Sequence, residues 1–200
     1  VLGAHYDHIG VRAGPDGTPA INNGADDNAS GASLILELAR VLHRYLDVGG
    51  MPVEDRRSVL FAGWGAEEVG LLGSCHYARH EPVVPLGRTR ALMNFDMVGR
   101  MRDGVVMVRG YESWESWAPM VQNANHPALT VYPLPPGGGN SDFVCFREKG
   151  VPFLYFHTGL HDQYHTPADD VELINFPGLV DIGQVSLRVL TRLMVMEGAK

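Results

Sequence analysis

The pair Glu67-Glu68 follows the apolar run Val59-Leu60-Phe61-Ala62-Gly63-Trp64, inside the stretch Gly65-Ala66-Glu67-Glu68-Val69-Gly70. Adjacent carboxylates repel each other and favour water. Setting them at the end of a buried strand therefore destabilises the fold unless a cation or a proton waits there. Two further runs end in the same way: Val1-Leu2-Gly3-Ala4 leads into His5-Tyr6-Asp7-His8, and Ala91-Leu92-Met93-Asn94-Phe95 leads into Asp96. Imidazole and carboxylate are ligand types that zinc accepts, so the three runs point to a metal site.

Each run reads as a short strand buried on both faces. In open α/β sheets the functional crevice lies outside the carboxyl ends of the strands, which should bring His5, Glu67, Glu68 and Asp96 to one place. After the first strand, Gly10 to Gly24 reads as a Gly-rich loop. A helix then starts near Ser30, with Asn28 or Ser30 as its cap and Leu34, Leu38, Val41, Leu42 and Tyr45 at helical spacing. Asp26 and Asp27 lie in the approach to its N-terminus.

Met51 to Arg57 is a polar link. Gly70 to His80 reads as a helix, Val105 to Val108 as a strand, Trp114 to Asn125 as a helix and Pro133 to Asn140 as a loop. Ser141 to Glu148 reads as a short helix and Val151 to Phe156 as a strand, while Ile182, Val185, Val189, Leu190 and Leu193 mark an amphipathic C-terminal helix. This alternation predicts an α/β fold, a sheet with helices on both faces in three α/β/α layers. There is no internal repeat and no second core.

Two hundred residues with 45% hydrophobic content suffice for a single domain spanning 1–200 with a substantial core. The formal net charge of −7 argues against nucleic acid and anionic membranes as partners, since no basic stripe exists to neutralise phosphates. No apolar stretch approaches the ~20 residues needed to span a bilayer. Cys75 and Cys145 lack zinc-finger spacing and are expected to be two buried free thiols. The chain opens on strand-like sequence without an initiator Met, which reads as a trimmed domain of a longer protein and is compatible with a signal peptide already removed.

Five segments resemble, in order, the M28 family of zinc peptidases: His5-Tyr6-Asp7, Gly24-Ala25-Asp26-Asp27-Asn28-Ala29-Ser30-Gly31, Ala66-Glu67-Glu68-Val69-Gly70-Leu71-Leu72-Gly73-Ser74, Asn94-Phe95-Asp96-Met97 and Tyr164-His165-Thr166-Pro167. They cover nearly the whole chain. The resemblance implies a zinc-exopeptidase fold with a central mixed, mostly parallel sheet, whose N-terminal part is missing from this chain. It implies two Zn2+, with His5 and Asp96 on one, Glu68 and His165 on the other, and Asp27 bridging them. It also implies a cis peptide at Asp27-Asn28, Glu67 as general base, Tyr164 as hydrogen-bond donor to the oxyanion, and Asp7 as acceptor of the second ring N–H of His5. Asp27, Glu68, Asp96 and a bridging hydroxide would balance the charge of both zinc ions.

The function implied is a metal-dependent exopeptidase, an aminopeptidase that releases N-terminal residues from peptide or small-amide substrates by attack of the zinc-bridging hydroxide. A carboxypeptidase, a small-amide hydrolase and a glutaminyl cyclase are the alternatives on the same scaffold, and Arg100 and Arg147 are candidates for carboxylate recognition. A catalytically inactive interaction domain is the alternative from another class, disfavoured because all ligand positions are kept. The family also implies export, to a periplasm or the cell exterior. His8, His43, His76, His80, His126, His157 and His161 have no ligand spacing and are expected to be surface or loop histidines, with His161 in the same loop as His165. Phe143 stands where many relatives have His.

Overall fold

The computed structural model describes residues 1–14, 16–49, 56–124 and 126–196. The chain runs β1 (Leu2–His5), β2 (Val11–Ala13), β3 (Pro19–Ile21), α1 (Gly31–Gly49), β4 (Phe61–Trp64), α2 (Leu72–Arg79), β5 (Leu92–Phe95), β6 (Val105–Arg109), α3 (Trp117–Asn123), β7 (Thr130–Pro133), α4 (Phe143–Glu148), β8 (Phe153–His157) and α5 (Phe176–Val195). Most of the expected link at Met51 to Arg57, and Asn125 at the end of the expected third helix, lie outside the described residues.

Six strands form one sheet in the order β4-β1-β5-β8-β6-β7. The first four are mutually parallel. β6 pairs antiparallel with β8 and parallel with β7, so the sheet is mixed and mostly parallel, as expected. α1, α3 and α5 pack on one face, where Leu34, Leu38, Leu42, Ile182, Val185, Val189, Leu190 and Leu193 join a core with Leu2, Met93, Phe95, Leu154 and Phe156. α2 and α4 cover the other face around Trp64, Leu92, Phe143, Phe146 and Phe153. Burying each such side chain contributes ~1.5–3 kcal/mol, so both layers are held by apolar area.

β1 and β5 are buried throughout, and β8 at all but its last residue, as parallel strands covered on both faces should be. β4 departs from that expectation. It sits at the sheet edge, with a neighbouring strand on one side only, and Trp64 alone is buried. In α1 the core face takes Ile35, while Tyr45 is exposed. The Gly-rich stretch is not wholly irregular, since β2 and β3 make a small antiparallel hairpin.

Cys75 of α2 and Cys145 of α4 are not free thiols. They form a disulfide with Cα atoms 5.1 Å apart, closing 70 residues of chain. Their pairing follows from α2 and α4 lying side by side on one sheet face, a docking that residue spacing does not reveal.

Candidate metal centre

Four adjacent parallel strands deliver polar residues at their carboxyl ends. His5 closes β1, Asp96 follows β5, Glu67 and Glu68 follow β4, and His165 lies in the loop after β8. Asp27 reaches the same place from the turn before α1. Gly24 enters that turn at φ 66°, and a Cβ there would stand 2.4 Å from the Asp27 carbonyl oxygen, so only glycine fits. The Asp27-Asn28 peptide is cis. Asn28 then ties the turn to β5: its Nδ2 donates to the Phe95 carbonyl at 2.9 Å and its Oδ1 accepts from the Gly31 N–H at 3.0 Å, capping α1.

The carboxylate of Asp27 divides between two groups of donors. Its Oδ1 lies 3.3 Å from His5 Nε2, which is also 3.3 Å from Asp96 Oδ1. Its Oδ2 lies 3.0 Å from His165 Nε2, which is 3.1 Å from Glu68 Oε2. His5, Asp27 and Asp96 therefore converge as one set, and His8, Asp27, Glu68 and His165 as another, with donor atoms within 4.8 Å of one another. Asp26, the neighbour most easily confused with Asp27, faces away from both sets and contacts His161. Glu67 belongs to neither set, so two residues that are alike in sequence are separated in space.

His8 was not expected in this place. Its Nδ1 is 2.8 Å from Glu68 Oε1, and its ring meets that of His165 edge-on. Ser141 was missed as well: its hydroxyl donates to Asp96 Oδ2 at 2.7 Å and accepts from Asn94 Nδ2 at 2.8 Å. The signal for both lay in the motifs, in the second histidine of His5-Tyr6-Asp7-His8 and the serine of Ser141-Asp142-Phe143. Phe143 itself points into the core, stacked on Phe153 at 4.6 Å.

Asp7 meets the His5 ring and the main chain after β4. The ring Nδ1 of His5 meets the Asp7 main-chain carbonyl at 3.1 Å, with the Asp7 carboxylate 3.8 Å from the same nitrogen. The carboxylate also accepts the N–H groups of Glu67 and Glu68, at 3.0 and 3.2 Å. Tyr164 stacks on His165 with ring centres 3.8 Å apart. Both cations proposed for carboxylate recognition have neighbours of their own. Arg100 donates to Gln163 and faces Asp169, while Arg147 lies over the Phe143 ring.

The electrostatics favour a proton or a cation at this centre. Burial alone would lower the His5 pKa, yet its contacts with Asp27 and Asp96 raise it to about 12. Burial raises Asp27 above the usual carboxylate range. Burial, then the Asp96 charge, pushes Glu67 up to about 8. Burial pushes Asp142, fully enclosed beside Ser141, up to about 7. His165 Nε2 is buried and, despite its two close carboxylate oxygens, is aligned with neither for a hydrogen bond. Imidazoles and carboxylates converging with an orphaned ring nitrogen form a donor set that fits zinc. Three of the five described non-glycine residues at positive φ are His165, Ala66 before Glu67 and Met97 after Asp96, which puts local backbone strain at this site.

Residues 1–190 match the profile of peptidase family M28. The chain belongs to that family. It is 34% identical over 194 residues to Aminopeptidase YwaD of Bacillus subtilis (strain 168), covering 90% of this chain and 40% of that protein. The solved structure of BSAP, a zinc aminopeptidase from Bacillus subtilis, matches with a TM-score of 0.75 and 31% identity, covering 100% of this chain and 47% of that one. Bacteroides thetaiotaomicron glutaminyl cyclase matches with a TM-score of 0.69 and 22% identity over 94% of this chain and 71% of its own, which shows a shared fold alone. The chain thus spans less than half of these aminopeptidases. Zinc is the metal of this M28 neighbourhood. Among the described residues no helix is long and apolar enough to cross a membrane.

Proposed function

We propose that this M28 chain supplies the catalytic centre of an aminopeptidase that uses two Zn2+ to remove N-terminal residues from peptides. The observation that carries this is the divided carboxylate of Asp27, one oxygen toward His5 and the other toward His165. His5 and Asp96 would hold one ion, Glu68 and His165 the other, with Asp27 shared. His8 steadies Glu68 through its free oxygen, and Ser141 steadies Asp96. When bound, zinc supplies Lewis acidity, acidifying a water and polarising the scissile carbonyl.

Glu67 takes a proton from the attacking water and returns it to the leaving amine. Its separation from both donor sets leaves its carboxylate free for that transfer. Tyr164 keeps its proton, because burial and then the Asp27 charge raise its pKa, and it donates a hydrogen bond to the oxygen that gains charge. Asp7 fixes the main chain that carries both glutamates. The engagement of Arg100 by Gln163 and Asp169 argues for recognition of a free amine over a free carboxylate. The disulfide between Cys75 and Cys145 supports an oxidising compartment, hence export.

A panel of aminoacyl anilides, their N-acetylated forms and C-terminally amidated peptides tests the assignment. Release from free N-termini alone is expected. Cleavage that needs a free C-terminus, or ring closure of N-terminal glutamine without release of an amino acid, would move the chain to another reaction.

A further inference from the structure

A second buried polar cluster lies behind the Asp27 turn and takes no part in the reaction. Asp169 and Asp26 are both fully buried. Three successive N–H groups converge on Asp169: that of Ala25 on its carbonyl at 3.0 Å, and those of Asp26 and Asp27 on its Oδ2 at 2.9 and 3.1 Å. Asp26 Oδ1 accepts from the Gly99 N–H at 2.7 Å and the Ser30 hydroxyl at 3.2 Å, and its Oδ2 lies 3.2 Å from His161 Nε2. Asp169 Oδ1 faces Arg100 at 3.7 Å and His161 at 4.0 Å. Two buried carboxylates are thus met by one guanidinium and one imidazole, and by main-chain donors.

The sequence positions give this cluster its meaning. His165 lies midway between His161 and Asp169, and both ends of that loop are anchored on the Asp26-Asp27 segment. His165 holds a left-handed φ of 56°, a conformation that persists only where its surroundings impose it. We infer that Asp169, with Asp26 and His161, is a positioning device that fixes His165 against Asp27. The metal held by Glu68 and His165 then depends on residues that cannot reach it, and more strongly than the one held by His5 and Asp96 on β1 and β5, which meets this device through Asp27 alone. This rests on the two-zinc reading proposed above.

The test is stepwise zinc titration of the full chain against a chromophoric chelator, with Co2+ absorption spectra as a readout independent of turnover. Asp169→Ala should weaken the zinc on Glu68 and His165 by about 10–100-fold, the range for partners that orient metal ligands, and the other, reached through Asp27 alone, clearly less. Asp169→Asn retains an oxygen for both N–H groups and should recover most of the loss. Should Asp169→Ala fail to fold, His161→Gln, which leaves the main-chain N–H contacts of Asp169 in place, should weaken the same metal more than the other. Unchanged affinities in the variants that fold, or equal weakening of both metals, would overturn the inference while leaving the two-zinc reading standing. A wild-type chain that takes up no second zinc would overturn that reading, and this inference with it.

Discussion

Asp7 holds Glu67 by its main chain: one carboxylate oxygen accepts the Glu67 N–H at 3.0 Å, and the other accepts the Glu68 N–H at 3.2 Å. A single side chain at the end of β1 thereby sets where β4 delivers both glutamates. Asp7→Ala should cost about 1–2 kcal/mol, the penalty for leaving such donors to find other partners, and turnover should fall as Glu67 loses its register. Asp7→Asn keeps an acceptor and should lose less. Thermal unfolding beside kcat decides it, and an Asp7→Ala protein as stable and active as wild type would show the brace to be idle.

Zinc uptake should release protons. In the metal-free chain His5 carries a proton over the whole neutral range, since its pKa is raised to about 12, and zinc takes only the neutral imidazole. Affinity should therefore rise with pH, by about tenfold per pH unit for each proton expelled, and fall on acidification. Calorimetry in two buffers of different ionisation enthalpy counts the protons. A count of zero near pH 7 would contradict the charge state assigned to His5.

The disulfide should stabilise without serving the chemistry. Closing a loop of 70 residues is worth about 4 kcal/mol in the chain-entropy account. The Cys75→Ser, Cys145→Ser double variant should melt roughly 10 °C lower and keep its kcat at 25 °C. Loss of turnover before loss of fold would mean that the α2–α4 clamp also shapes the site.

What the sequence makes visible here is the delivery of chemistry by strands. Apolar runs that stop at His5, Glu67-Glu68 and Asp96 can be read one at a time, and the parallel order of β4, β1, β5 and β8 brings their ends together. The hairpin of β2 and β3 was hidden because its strands are three residues each and largely exposed, which leaves no apolar alternation to read. The Cys75–Cys145 pair, and the anchoring of His161 and Asp169 on Asp26 and Asp27, depend on elements far apart in the chain. His161 and His8 look like ordinary loop histidines until folding surrounds them with carboxylates. Asp7 was recognisable as a supporting residue, but whether its carboxylate or its carbonyl meets the His5 ring is a matter of torsion angles.

The central claim is that Glu68 and Glu67, adjacent in the chain, hold metal and move a proton respectively. Zinc per chain at saturation, measured by elemental analysis beside kcat for wild type, Glu68→Ala and Glu67→Gln, tests it most directly. Wild type should hold two zinc ions, and Glu68→Ala should fall to about one with turnover lost. Glu67→Gln should keep both zincs while kcat drops by about 10²–10⁴-fold, the usual contribution of a general base. A wild-type ceiling of one zinc, a Glu67→Gln variant that sheds metal while Glu68→Ala retains it, or normal turnover by Glu67→Gln would contradict the account.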